Sequence, residues 1–276
     1  MNRLDARFAE LRQEGRAGFI AYVMAGDPDP ATSLEILRGL PGAGADIIEL
    51  GYPFSDPMAE GPPIQRASIR ALKAGTTLKR VLQMVRDFRE ADQTTPIVLM
   101  GYLNPLLTWG YDAFARDAAA AGVDGLIVVD CPPEEADPLS EPLEAAGVSL
   151  IRLTAPTTDD ARLAVVVRRT SGFVYYVSVA GVTGVREANA AAIAPAVERV
   201  RRASGLPVAV GFGIKTPERA AEVARIADAA VVGSALVDRI AEALAANTPP
   251  APRVLETARA LAQAVRAARL PSKAKV

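Results

Sequence analysis

The sequence has no histidine, one cysteine and one tryptophan. Without histidine, a Ser-His-Asp or Cys-His arrangement is impossible. The usual zinc sites draw on several histidines or cysteines, so they are nearly excluded and no metal site is expected. Cys131 stands alone and can form no internal disulfide, which fits a reducing cytoplasm. No apolar run reaches the roughly 18 residues of a membrane span. The segment Met1 to Phe8 has no apolar core of the kind a secretion signal carries. An excess of charge is missing too: 31 basic and 32 acidic residues leave a net charge of −1. Nothing in that balance points to nucleic acid or an anionic membrane as a partner. Acid/base chemistry is left to carboxylates, tyrosines and a few lysines.

What is present is an alternation. Half of the 276 residues are hydrophobic, spread along the whole chain. Short Val- and Ile-rich runs predict strands at Gly18–Met24, Asp46–Leu50, Pro96–Gly101, Gly125–Asp130, Val148–Leu153, Phe173–Ser178, Pro207–Gly211 and Ala229–Val232. Helical spacing fills the gaps, as in Leu78, Val81, Leu82, Val85 and Phe88, in Ile193, Val197 and Val200, and in Leu236, Ile240 and Leu244. Gly122, Gly147 and Gly205 stand where helices should stop. Eight such units in this length predict an α/β fold, a (β/α)8 TIM barrel. A doubly wound open sheet is the second reading, but no G-x-G-x-x-G follows an early strand. Leu4, Phe8 and Leu11 suggest an extra helix covering the barrel floor. Val254, Ala258, Leu261 and Val265 suggest another after the last strand. Residues 1–270 are read as one barrel domain and residues 271–276 as a disordered tail.

The chemistry gathers at strand ends. Glu49 lies inside an apolar strand, where an ionisable group is costly without a role. Glu60 closes the loop that Glu49 opens, so two acid/base groups can face one small molecule. Pro53, Pro57, Pro62 and Pro63 stiffen that loop. Ser55 and Asp56 either hold it together by local hydrogen bonds or act in recognition. On the last two strands, Gly211-Phe212-Gly213 and Gly233-Ser234 each precede a helix, which makes Gly213, Gly233 and Ser234 candidates for phosphate binding. Two glycines flank Val182-Thr183 after the sixth strand, and the stretch to Asn189 reads as a closing lid. Lys215 reads as the start of a helix or a phosphate contact, not as an imine-forming lysine. Of the adjacent Tyr175 and Tyr176, one should face the barrel interior and one the helices.

These residues resemble the tryptophan synthase α-subunit family. The matching stretches are Glu49-Leu50-Gly51 with Pro53 to Pro57, Gly61-Pro62 with Ile64-Gln65, Asn104-Pro105, Ala180 to Gly184, Gly211 to Ile214 and Gly233-Ser234-Ala235. The resemblance implies retro-aldol cleavage of indole-3-glycerol phosphate to indole and glyceraldehyde 3-phosphate. It implies Glu49 as the proton-transfer group and Glu60, where the family usually has aspartate, as the partner of the indole N–H. Tyr22, Met100, Ile127, Val129, Leu153, Tyr175, Thr183, Phe212 and Val231 would hold the substrate. Gly184, Gly213, Gly233 and Ser234 would hold its phosphate. Val179 stands where some members carry a lid arginine. The resemblance also implies an αββα complex, with Pro53, Asp56, Asn104 and Pro105 at the interface. No cofactor is expected in this chain, and pyridoxal phosphate is expected in the β partner. Two further readings stand beside this one: a weakly catalytic subunit that activates its β partner, and a free-standing indole-releasing lyase.

Overall fold

The computed structural model describes residues 2–178, 190–211 and 213–269. Its strands are β1 (Gly18–Met24), β2 (Ile47–Gly51), β3 (Ile97–Gly101), β4 (Gly125–Val128), β5 (Ser149–Thr154), β6 (Val174–Val177), β7 (Val208–Gly211) and β8 (Ala229–Val232). All neighbours pair in parallel, and β8 returns to β1, so the sheet is a closed barrel as the alternation predicts. Helix α1 (Arg3–Gln13) precedes β1, and α2 (Pro30–Gly39) follows it. Helices α3 (Pro62–Lys73) and α4 (Leu78–Arg89) both follow β2, and α5 (Leu103–Trp109) and α6 (Tyr111–Ala121) both follow β3. Single helices α7 (Asp137–Ala145), α8 (Asp160–Val167), α9 (Ala190–Ser204) and α10 (Pro217–Ile226) follow the next four strands. Helices α11 (Ser234–Ala245) and α12 (Pro250–Ala267) end the described chain.

Strand limits differ from the sequence reading for local reasons. Pro96 and Pro207 have no N–H for the ladder, so β3 and β7 begin one residue later. β2 runs on to Gly51, whose carbonyl accepts from Ala25 N (2.9 Å). β4 stops at Val128, and Asp130 turns away to accept from Leu103 N (2.8 Å). Helix α3 escaped the periodicity reading because its buried face is mainly small: Ala67, Ser68 and Ala71 beside Ile64. Leu236 and Ile240 are buried as the spacing of α11 predicts, but Leu244 is exposed near its end. Gly122 caps α6 in the left-handed region (φ 91°), as its position in the sequence suggests.

The floor is closed by α1. Leu4, Phe8 and Leu11 are buried against the interior layer of Ile20, Ile47, Val98, Ile127, Ile151 and Phe173. Gly18 and Gly125 leave room for this plug: a Cβ on Gly18 would lie 2.8 Å from Leu11 Cδ1, and one on Gly125 would lie 3.0 Å from Leu4 Cδ1. Three carboxylates tie the strand starts together. Asp46 accepts from Phe19 N (2.9 Å), Asp124 from Ile97 N (2.8 Å) and Asp228 from Val208 N (2.8 Å). Each also meets an arginine: Arg16, Arg89 and Arg201 respectively. Backbone donors that the barrel leaves open at this end are thus satisfied by fixed charge. Helix α12 buries Val254, Ala258, Leu261 and Val265, the face expected for it.

Candidate active site

With the floor plugged, the free space of the barrel lies at the C-terminal ends of its strands. Tyr22 on β1, Glu49 on β2, Met100 on β3, Leu153 on β5, Tyr175 on β6 and Val231 on β8 line one cavity of about 430 Å³. Val129, just past β4, and Val177 complete the inner wall. The volume suits a small molecule, and the walls are chiefly apolar. Tyr176, next to Tyr175, points the other way into the core under the helices, as strand alternation requires.

Glu49 is buried, and its Oε2 has no hydrogen-bond partner among the described residues. Burial, and then the charge of Glu60, push its pKa up to about 8. Glu60 enters the cavity from the loop after β2, and burial raises it to about 7. That loop is braced. Ala59 N donates to Tyr102 Oη (2.9 Å), and the Tyr102 ring stacks on Phe54 with centroids 5.1 Å apart. Tyr52 Oη donates to Tyr102 O (2.8 Å), and Ser68 Oγ donates to Phe54 O (2.9 Å). Gln65 Nε2 donates to the carbonyl of Glu60 itself (2.9 Å). The two carboxylates therefore reach one apolar space from different directions, one on a strand and one on a strapped loop.

Tyr22 and Tyr175 lie over strand-end glycines. A Cβ on Gly51 would be 2.4 Å from Tyr22 Oη, and one on Gly211 would be 2.0 Å from Tyr175 Oη. Burial and the nearby Glu49 and Glu60 charges keep both phenols protonated. At the other end of the cavity stand Gly213, Lys215, Gly233 and Ser234. Gly213 adopts φ 76°, and Ser234 is the first residue of α11. Among the described residues no side chain caps α11, so its first amides and its dipole are open to an anion. Exposed Lys215 sits at the rim, immediately before Thr216, the cap of α10.

Most residues expected at the site converge there, with exceptions. Ile127 is wholly buried in the layer beneath and does not line the cavity. Thr183, Gly184, Phe212 and the expected lid from Val179 to Asn189 lie outside the described residues, as does the tail 271–276. On the loop, Asp56 is exposed and accepts from Ser55 Oγ (2.5 Å). Pro53, by contrast, is buried and offers no surface to a partner. Asn104 and Pro105 line a separate open depression with Phe54, Lys79 and Trp109. The sequence reading gives Tyr102 no role. Its position just beyond β3, level with the end of the Glu49–Glu60 loop, was the available signal for its bracing role.

The chain matches the family model described as tryptophan synthase alpha chain over residues 8–266. It is similar to the tryptophan synthase alpha chain of Phenylobacterium zucineum (strain HLK1), at 74% identity over 97% of this chain and 96% of that one. The alpha chain of Caulobacter vibrioides (strain NA1000 / CB15N) is 69% identical over 99% of both chains. Among solved structures, tryptophan synthase subunit alpha from Legionella pneumophila str. Paris superposes with a TM-score of 0.90 at 43% identity, covering 96% of this chain and 98% of that one. A barrel of this topology, with two carboxylates facing an apolar cavity, and these similarities agree: the chain belongs to the tryptophan synthase alpha chain family and carries its lyase activity, the cleavage of indole-3-glycerol phosphate.

Proposed function

We propose that Glu49 and Glu60 divide the chemistry of this cleavage between them. The observation that carries the reading is a buried and a half-buried carboxylate, raised to about 8 and about 7, facing one apolar cavity that ends at the uncapped start of α11. The indole ring lies between Tyr22, Met100, Val129, Leu153, Tyr175 and Val231, with Phe212 and Thr183 contributing from outside the described residues. The phosphate sits on Gly213, Gly233 and Ser234, joined by Gly184. Neutral Glu49 gives a proton to C3 of the indole, and ionised Glu60 stabilises the positive charge that develops at the ring nitrogen. The Glu49 carboxylate then takes the proton of the side-chain hydroxyl next to C3. The C–C bond breaks, its electron pair restores the indole, and the hydroxyl carbon becomes the aldehyde of glyceraldehyde 3-phosphate. One proton is given and one is taken, so Glu49 ends as it began.

The second part of the proposal concerns assembly. Indole passes to a pyridoxal-phosphate-dependent β subunit in an αββα complex in the cytoplasm, docked over Asp56, Asn104 and Pro105. Exposed Met58 and Leu107 support this placement, because both are large apolar side chains, Met58 on the loop of Asp56 and Leu107 on α5 with Asn104 and Pro105. Sedimentation of the chain mixed with a β subunit, with indole release measured in parallel, tests it. A stable complex with faster release is expected. Full turnover by the free chain, unchanged by the β subunit, would favour a free-standing lyase instead.

A further inference from the structure

A second cavity, of about 350 Å³, lies on the outer side of the barrel wall between β4, β5 and the start of α8. Asp130, Cys131, Arg152, Thr158, Arg162 and Val166 line it. Ile151 and Leu153 face the barrel interior, so Arg152 between them points outward toward the helices. Arg152 is only 7% exposed, yet it makes no ion pair among the described residues. Its Nη1 donates to Cys131 O (3.1 Å), its Nε is buried without a partner, and its Nη2 makes no hydrogen bond among the described residues. The nearest carboxylates are engaged elsewhere. Glu134 is held by Arg162, Asp137 by Arg169 (3.3 Å), and Asp130 accepts from Leu103 N (2.8 Å).

A buried guanidinium with open donors and no counter-ion is costly, and packing alone would be served better by leucine. Thr158 adds a donor: its Oγ1 already accepts from Ala155 N (3.0 Å), which leaves its proton for a ligand. The rest of the wall is apolar, with Val128 and Val166 and the prolines 132 and 133. We propose that this cavity is a binding site for a small oxyanion, carboxylate or phosphate, held by Arg152 and Thr158. The fork of the guanidinium suits either anion, and Asp130 on the rim limits the site to ligands that keep their charge at the Arg152 end. The site is distinct from the substrate cavity but shares the wall residues Val129 and Leu153 with it.

Cys131 is a built-in reporter, since it is the only cysteine of the chain. Its alkylation by iodoacetate, an anion, is compared with that by neutral iodoacetamide, using mass spectrometry. The ratio of the two rates cancels the thiolate fraction. It should exceed that of N-acetylcysteine by about tenfold or more, through local concentration of the anion. The Arg152→Met variant should return it to the value of the free thiol, and acetate or inorganic phosphate should compete in the unmodified protein. Independently, the Arg152 Nε–H signal of the ¹⁵N-arginine-labelled chain is titrated with acetate and, separately, with inorganic phosphate. Saturable shifts with one anion identify the preferred source, and shifts with both define a general oxyanion site. Equal alkylation ratios for Cys131 and free thiol, or shifts that do not saturate with either anion, would overturn the proposal.

Discussion

The hydroxyl of Tyr102, just beyond β3, accepts a hydrogen bond from the backbone N–H of Ala59 (2.9 Å), the residue that precedes Glu60. This bond links a rigid strand end to the loop that carries the second carboxylate. Removing it with Tyr102→Phe keeps the stacking on Phe54 and so keeps the fold. A displacement of about 1 Å in a reacting group costs roughly 100-fold in rate. We expect kcat/KM for indole release to fall by about tenfold to 100-fold, with Tm nearly unchanged. A variant with normal kcat/KM would show that the loop is positioned by other contacts.

The two raised carboxylates fix the pH dependence. Glu60 must lose its proton, with its pKa at about 7, and Glu49 must keep its own, at about 8. The pair titrates together, so the limbs belong to the pair. The kcat/KM profile should be a narrow bell that rises near pH 7 and falls above pH 8. In Glu60→Gln the rising limb should disappear while the falling limb remains. A flat profile across this range would contradict the assignment of both groups.

Glu49 also costs stability. Its pKa in the fold, about 8, lies above the ordinary 4.5 of the unfolded chain. The native state therefore holds a proton that the unfolded state releases. Stability is full below about pH 4.5 and declines as pH rises toward 8. Glu49→Gln escapes this decline. Urea unfolding at pH 8.5 should show the variant more stable than the parent by at least about 1.4 kcal/mol, the equivalent of one pKa unit. At pH 4, below the unfolded pKa, the two should coincide.

Gly51 and Tyr22 form a pair that tolerates no added methyl, with 2.4 Å between the would-be Cβ and the Tyr22 hydroxyl. Overpacking of this kind costs about 1–3 kcal/mol. Gly51→Ala should lose that much stability and raise KM, because Tyr22 must leave the substrate wall. Adding Tyr22→Leu should return part of the stability, which a double-mutant cycle reads directly.

The floor should behave in the opposite way. Arg89 and Asp124 are both buried, and Arg89 also donates to the carbonyls of Gly122 and Thr95. Arg89→Met strands those carbonyls and leaves the Asp124 carboxylate with only the half-buried Arg3 (2.9 Å) and Ile97 N (2.8 Å) as partners among the described residues. Loss of one partner of a buried pair costs about 3–5 kcal/mol. Denaturant titration should show that loss, while kcat at low temperature stays close to normal because the cavity is at the other end of the barrel.

The barrel was legible because its strands are apolar on both faces and its helices carry a clear 3.6-residue period. The floor helix was legible from Leu4, Phe8 and Leu11 alone. Strand limits were blurred where proline interrupts the ladder, at Pro96 and Pro207. Helix α3 was hidden because alanine and serine make its buried face. At the site, Glu49 was visible as a charge inside a strand, and Glu60 as the other end of a stiff loop. Tyr102 was not visible in its bracing role, because its hydroxyl bond to Ala59 joins residues distant in sequence. Ile127 was placed one layer too high and Pro53 on the surface, since a motif match carries no depth.

The most direct test of the central claim is single-turnover indole release by Glu49→Gln, with binding of a non-cleavable indole alkyl phosphate as the control for an intact cavity. The expected result is analogue binding within a few-fold of the parent and a loss of about 10³-fold or more in the cleavage rate, in the range of general acid/base groups. Cleavage within about tenfold of the parent, with binding intact, would contradict a proton-transfer role for Glu49.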